Sequence, residues 1–230
     1  MLPGLITPPS GPVISPWADG LIDYRRFAAT PLQREPFAYI VVPDFVPRWV
    51  AVEAGEAFPD PDLPGVLPAP VAPPNDAFGR LLTELRSERL TGAFAEKFGR
   101  ALSTDRLMVT LRARTRPVDG RIHNDSATKV ITALIYLNGT WSESGGRLRL
   151  LRGPHDIDDV IAEVPPLAGT LIAFARSENS WHGHKPYEGP RRAIMLNWMT
   201  DAATARREWR RHALSAGVKR GFGAPAIRSS

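Results

Sequence analysis

The rhythm of apolar and polar positions changes near residue 103. Before it, 75–102 contains no proline, and Leu81, Leu82, Leu85, Leu90, Phe94 and Phe98 recur at helical intervals. This predicts two helices broken near 86–90. After it, the pattern is one of short strands: 107–113, 129–138 (KVITALIYLN), 147–151, 170–174 and 193–199. The segment 129–138 is β-branched and apolar on both faces, as expected of a strand covered on both sides. Asp119-Gly120, Gly145-Gly146, Pro165-Pro166, Gly169 and Gly189-Pro190 supply turns between these runs. A helical pattern returns at 202–213. Helices followed by strands predict a β sandwich or barrel with a helical buttress.

The first third is set apart by proline, with 16 of the chain's 23 before Asn75. Residues 1–36 read as an arm that wraps a body rather than building one. Residues 39–46 (YIVVPDFV) form a strand interrupted by Pro43, hence near an edge or an end. A helix is expected over 47–58, with Pro47 in its first turn. The proline-rich stretch 59–74 is expected to hold no regular structure.

Composition narrows the chemistry. The chain of 230 residues is 43% hydrophobic and 23% charged, ordinary globular usage. Cysteine is absent, which excludes disulfides, zinc–thiolate sites, iron–sulfur clusters and cysteine nucleophiles. Any metal must be held by His, Asp or Glu. No run of 18 apolar residues occurs, so no transmembrane helix is expected. The first 16 residues lack a basic residue and a compact apolar stretch, which points to a cytoplasmic address. The net charge of +5 sits at one end. Seven basic residues and one acid in 205–230 make that segment +6, leaving −1 for the rest. A basic tail suits nucleic acid, ribosome or another anionic surface. The reading taken here is a solvated helix end and tail.

Two of the five histidines stand in telling places. His123 and Asp125 form His-x-Asp in GRIHNDS, just before the strongest strand. Residues two apart project to the same side of an extended chain, so one metal can take both. His182 follows in SWHGHKP, before the last strand, with His184 as its rival. Two His and one carboxylate form a facial triad that leaves open positions, the donor set of non-haem Fe(II) oxygenases.

Three ordered blocks then resemble the 2-oxoglutarate- and Fe(II)-dependent oxygenases, in their prolyl-hydroxylase-like branch. They are His123-x-Asp125, TALIYLNGTWSESGGRLRL at 132–150, and PPLAGTLIAFARSENSWHGHKPYEGPRRAIMLNW at 165–198. The resemblance implies a double-stranded β-helix (jelly roll) with the N-terminal helices packed on one sheet. It also implies an oxygenase domain over 37–204 between the arm (1–36) and the basic helix and tail (205–230). It implies Fe(II) held by His123, Asp125 and His182, with 2-oxoglutarate and O₂ as cosubstrates. Arg192 falls on the residue that pairs with the distal carboxylate of 2-oxoglutarate, because Trp198 stands six residues on, as in the family. On this register Arg191 faces the other way. Tyr136 falls on the tyrosine that joins that arginine, and Thr132 on the same strand face lines the same pocket. The implied reaction hydroxylates a C–H bond with release of succinate and CO₂. The implied substrate is a prolyl or other residue of a protein or peptide, with a small molecule or sugar as the alternative. A non-catalytic jelly-roll binding module is the alternative of another class. Two departures from the family stand out: 111–120 (LRARTRPVDG) lacks its tyrosine, and Ile194 replaces a Ser or Thr.

Overall fold

The structure, a computed structural model, describes residues 20–59, 63–71 and 75–223, with side chains through 214. Most of the N-terminal arm and the end of the basic tail lie outside the described residues.

Three helices form close to where periodicity placed them. They are α2 (Arg48–Glu56), α3 (Ala77–Leu85) and α4 (Glu88–Phe98), preceded by a short α1 (Tyr24–Ala29). Local chemistry sets their ends. Asp76 and Ser87 accept the backbone N–H groups of Gly79 and Leu90 as N-caps of α3 and α4. Gly99 closes α4 in the left-handed conformation that favours glycine.

Among the described residues nine strands follow or interleave: β1 (Tyr39–Val42), β2 (Val66–Pro68), β3 (Leu107–Thr115), β4 (Lys129–Tyr136), β5 (Leu148–Leu151), β6 (Val160–Val164), β7 (Leu171–Ala175), β8 (His182–Gly183) and β9 (Gly189–Met199). They pair antiparallel into a six-stranded sheet, order β1-β7-β4-β9-β3-β2, and a three-stranded sheet, order β6-β5-β8. The two sheets form a double-stranded β-helix that does not close into a barrel. Helix α5 (Ala202–Gly223) follows, and Ala205 and Trp209 pack on Met108 and Met199.

The expectation for 59–74 is corrected at one point. Val66–Pro68 pairs with β3, Val66 opposite Arg112. Pro68 is compatible because β2 is an edge strand, where a missing N–H need not leave a gap in the ladder.

Strand periodicity divides the large sheet into two unlike faces. Ile131, Ala133 and Ile135 of β4, with Ile194, Leu196 and Trp198 of β9, join one core cluster with the helices. Trp198 lies 4.7 Å from the Phe94 ring of α4, both rings fully buried. The opposite positions, including Leu134, Tyr136 and Ala193, meet Leu148, Leu150 and Val164 of the small sheet. The cavity described next opens between the sheets on that second face.

Candidate active site

The strand pairing brings the distant His of the sequence onto the His-x-Asp motif. His123 and His182 exchange two backbone hydrogen bonds of 3.0 Å, and their ring centroids stand 4.2 Å apart. One ligand atom from each of His123, Asp125 and His182 lies within 4.8 Å of the others. His182 and Asp125 are buried, whereas His123 is exposed.

The donor chemistry fits a divalent metal. The Nδ1–H of His123 donates to the Arg121 carbonyl at 2.8 Å, and that of His182 to the Ser180 carbonyl at 3.0 Å. This leaves each Nε2 lone pair for a metal, the usual division of labour in metal-binding histidines. Burial pushes the His182 pKa down to about 4, against the pull of Asp125, so the ring is neutral at pH 7. Burial pushes the Asp125 carboxyl the other way. Lys129 and His182, with hydrogen bonds from Lys129 and Thr132, more than offset it and hold the group below the usual carboxylate value. Lys129 Nζ donates to Oδ1 at 2.7 Å and Thr132 Oγ1 to Oδ2 at 2.6 Å. A carboxylate offers about four lone-pair positions, so both contacts leave room for a metal.

The three residues line one end of a cavity of about 220 Å³. Leu134, Leu148 and Met195 give it apolar walls, and Arg191, Arg112 and His184 lie along its other end.

That other end corrects the expected arginine. Arg191, 2% exposed, lines the cavity, and Arg192 does not. Nη2 of Arg191 donates to the Tyr136 hydroxyl at 3.1 Å, and its Nε to the Gly146 carbonyl at 2.6 Å. The physical reason is the two-faced strand. Arg192 does share the parity of Trp198, but Trp198 packs against the helices, so Arg192 points away from the cavity. The backbone of Arg192 is held by Asn138, and its buried Nε has no hydrogen-bond partner. The pairing of Tyr136 with an arginine therefore stands, with the neighbouring arginine.

Thr132 lines the cavity as expected, although its hydroxyl is spent on Asp125. His184 is not in the metal cluster. It packs beside Gly120, whose φ of +83° and lack of a side chain are both required, since a Cβ there would stand 2.3 Å from the imidazole. Lys129, Asn197 and Arg112 also line the cavity and were not singled out by motif. For Asn197 a signal was present: a polar residue on the cavity parity of an otherwise apolar stretch; Lys129 carries the parity of Ile131, and the register of β4 shifts between those two residues. Arg147 and Arg149 lie in an outer network with Glu163 and Asp158, as expected of a solvated face.

Residues 113–200 match the model of the 2OG-Fe(II) oxygenase superfamily. That span holds the whole metal cluster, Tyr136 and Arg191. That span is similar to the 2OG-Fe(II) oxygenases, a class that uses Fe(II), 2-oxoglutarate and O₂, and it contains the His–Asp–His cluster. Two solved structures share the fold. The prolyl-4-hydroxylase of Pseudomonas putida is 20% identical, over 76% of this chain and 90% of that one, with a TM-score of 0.52. A prolyl 4-hydroxylase of Phytophthora capsici is 19% identical, over 76% of this chain and 64% of that one, with a TM-score of 0.54. No curated protein sequence matches the chain. No helix among the described residues is long and apolar enough to cross a membrane.

Proposed function

We propose that the protein hydroxylates a C–H bond of an amino-acid residue within a protein or peptide, a prolyl residue first, in an Fe(II)- and 2-oxoglutarate-dependent reaction. One observation carries the reading. A His–Asp–His cluster and a buried arginine, Arg191, which is hydrogen-bonded to Tyr136, line the two ends of the same cavity. A metal and a dicarboxylate need those two ends. The choice of a prolyl residue is supported by the names of the two fold neighbours.

His123, Asp125 and His182 would hold the iron. Arg191 would take the distal carboxylate, because a buried guanidinium offers a fixed fork of donors to two oxygens. Tyr136 orients that fork through its hydroxyl. Lys129 and Thr132 hold Asp125 ionised and in one orientation. Leu134, Leu148 and Met195 keep water from the space between. When bound, Fe(II) and 2-oxoglutarate supply the oxidising power that places oxygen from O₂ into the substrate, with release of succinate and CO₂.

The test is mass spectrometry of a lysate treated with the enzyme, Fe(II) and 2-oxoglutarate. A gain of one oxygen in a peptide, together with iron-dependent succinate release, is the expected result. A gain confined to small molecules replaces the protein substrate. Absence of succinate under all conditions rejects the oxygenase reading and leaves a binding module.

A further inference from the structure

The cationic end of the cavity contains more positive charge than one arginine. Arg112 of β3 stands opposite Ala193 of β9 in the antiparallel register, so it shares the face of Arg191 two residues away. Both guanidiniums line the cavity.

Negative charge there does not match them. Asp119 is the carboxylate at that end, 3.6 Å from Arg112 Nη1. It also accepts from the Arg116 backbone N–H at 2.9 Å and pairs with the Arg116 guanidinium at 3.3 Å. One carboxylate thus serves two guanidiniums, and Arg191 has no carboxylate partner among the described residues. Asp125 is engaged by Lys129 at the far end. Burial lowers the Arg112 pKa, and the nearby Arg191 charge lowers it further. Both arginines also act electrostatically on the buried Tyr136 hydroxyl, so the three groups converge on one region. Excess buried positive charge is costly until an anion meets it. A carboxylate can accept from two guanidiniums and a hydroxyl together.

We infer that Arg112 is a second cosubstrate-binding residue, closing with Arg191 and Tyr136 a two-arginine clamp on the distal carboxylate of 2-oxoglutarate. This rests on the oxygenase reading above. Asp119 acts through Arg112 as a positioning residue, tying it to the turn that ends at Gly120.

The experiment is calorimetry on the full chain with Mn(II) in place of iron. It compares 2-oxoglutarate with 2-oxopentanoate, which has the same carbon chain and no distal carboxylate. In the wild type, 2-oxoglutarate binds much more tightly. In Arg112→Gln, that preference shrinks about tenfold or more, as expected for a lost hydrogen bond to a charged group, while 2-oxopentanoate affinity stays constant. Asp119→Asn, which leaves Arg112 present but unbraced, shrinks the preference less. Equal loss for both ligands, or an unchanged preference, overturns the clamp alone; an unchanged preference would move Arg112 to an anionic prime substrate. If the wild type takes up Mn(II) but shows no preference for 2-oxoglutarate, the oxygenase reading falls and the clamp with it.

Discussion

The two ends of the cavity are built by different means. The metal end is local: His123 and Asp125 are two residues apart, and β5 and the β8 bridge bring in His182. Its charges are balanced, with Lys129 paired against Asp125. The cationic end is assembled from three strands, β3, β4 and β9, and its charges are unbalanced. The lesson is that a motif specifies a site only where its residues are close in sequence. Where they are not, the site depends on which face each strand turns to the cavity. An unbalanced end also announces a ligand more clearly than a balanced one.

The contrast can be broken most severely at the metal end. His182→Ala should lower Mn(II) affinity on the order of a hundredfold or more, beyond what loss of a supporting contact costs. His184→Ala should change it only slightly. Calorimetry on both variants checks this, and the opposite pattern would move the ligand two residues along.

At the cationic end the next largest effect is expected from Arg191. Arg191→Ala leaves a desolvated carboxylate without its main partner, about 3–5 kcal/mol, or a hundredfold or more in 2-oxoglutarate affinity. Arg192→Ala should leave that affinity nearly unchanged. The pair sharpens the parity argument directly, because the two residues are neighbours in sequence and opposite in direction.

Tyr136→Phe removes one hydrogen bond and keeps the charge paired. A loss of about 1–3 kcal/mol in cosubstrate binding is expected, with the Mn(II) affinity unaffected.

The smallest effect concerns pH. His184 is surrounded by Arg191, Arg112, Asp119 and the carbonyl of Lys185. Its folded pKa of about 4 lies below the ordinary 6.5, so the unfolded chain binds the proton first. The His184 contribution to the stability of the metal-free protein should therefore be full above about pH 6.5 and decline as pH falls toward 4, by roughly 3 kcal/mol at most. Urea midpoints at pH 7 and pH 5 should differ less in His184→Asn than in the wild type. An identical pH difference in both would remove His184 from the account.

Much of this was legible in the residues alone. Leu81, Leu85, Phe94 and Phe98 marked the helices because their spacing follows the helical period. KVITALIYLN marked the central strand because both its faces are apolar. His123 and Asp125 were legible because an extended chain places them side by side whatever the rest does. The strand β8 was not, since two residues carry no periodic signal; nor was β2, hidden among prolines. Arg191 was in principle readable. Ile194, Leu196 and Trp198 mark the core parity of β9, and Asn197 marks the other. The six-residue spacing to Trp198 chose Arg192 instead.

The sequence by itself determined the helical and strand regions, the donor types available to a metal, and two of the three residues of the His–Asp–His cluster, because these depend on spacing within one segment. Only the tertiary structure decided that Arg191 rather than Arg192 meets Tyr136, that His184 stands apart from the metal, and that Arg112 and Asp119 join the far end. Those facts turn on which of two sheet faces is covered by helices, and that is a matter of packing between segments far apart in the chain, as Phe94 on Trp198.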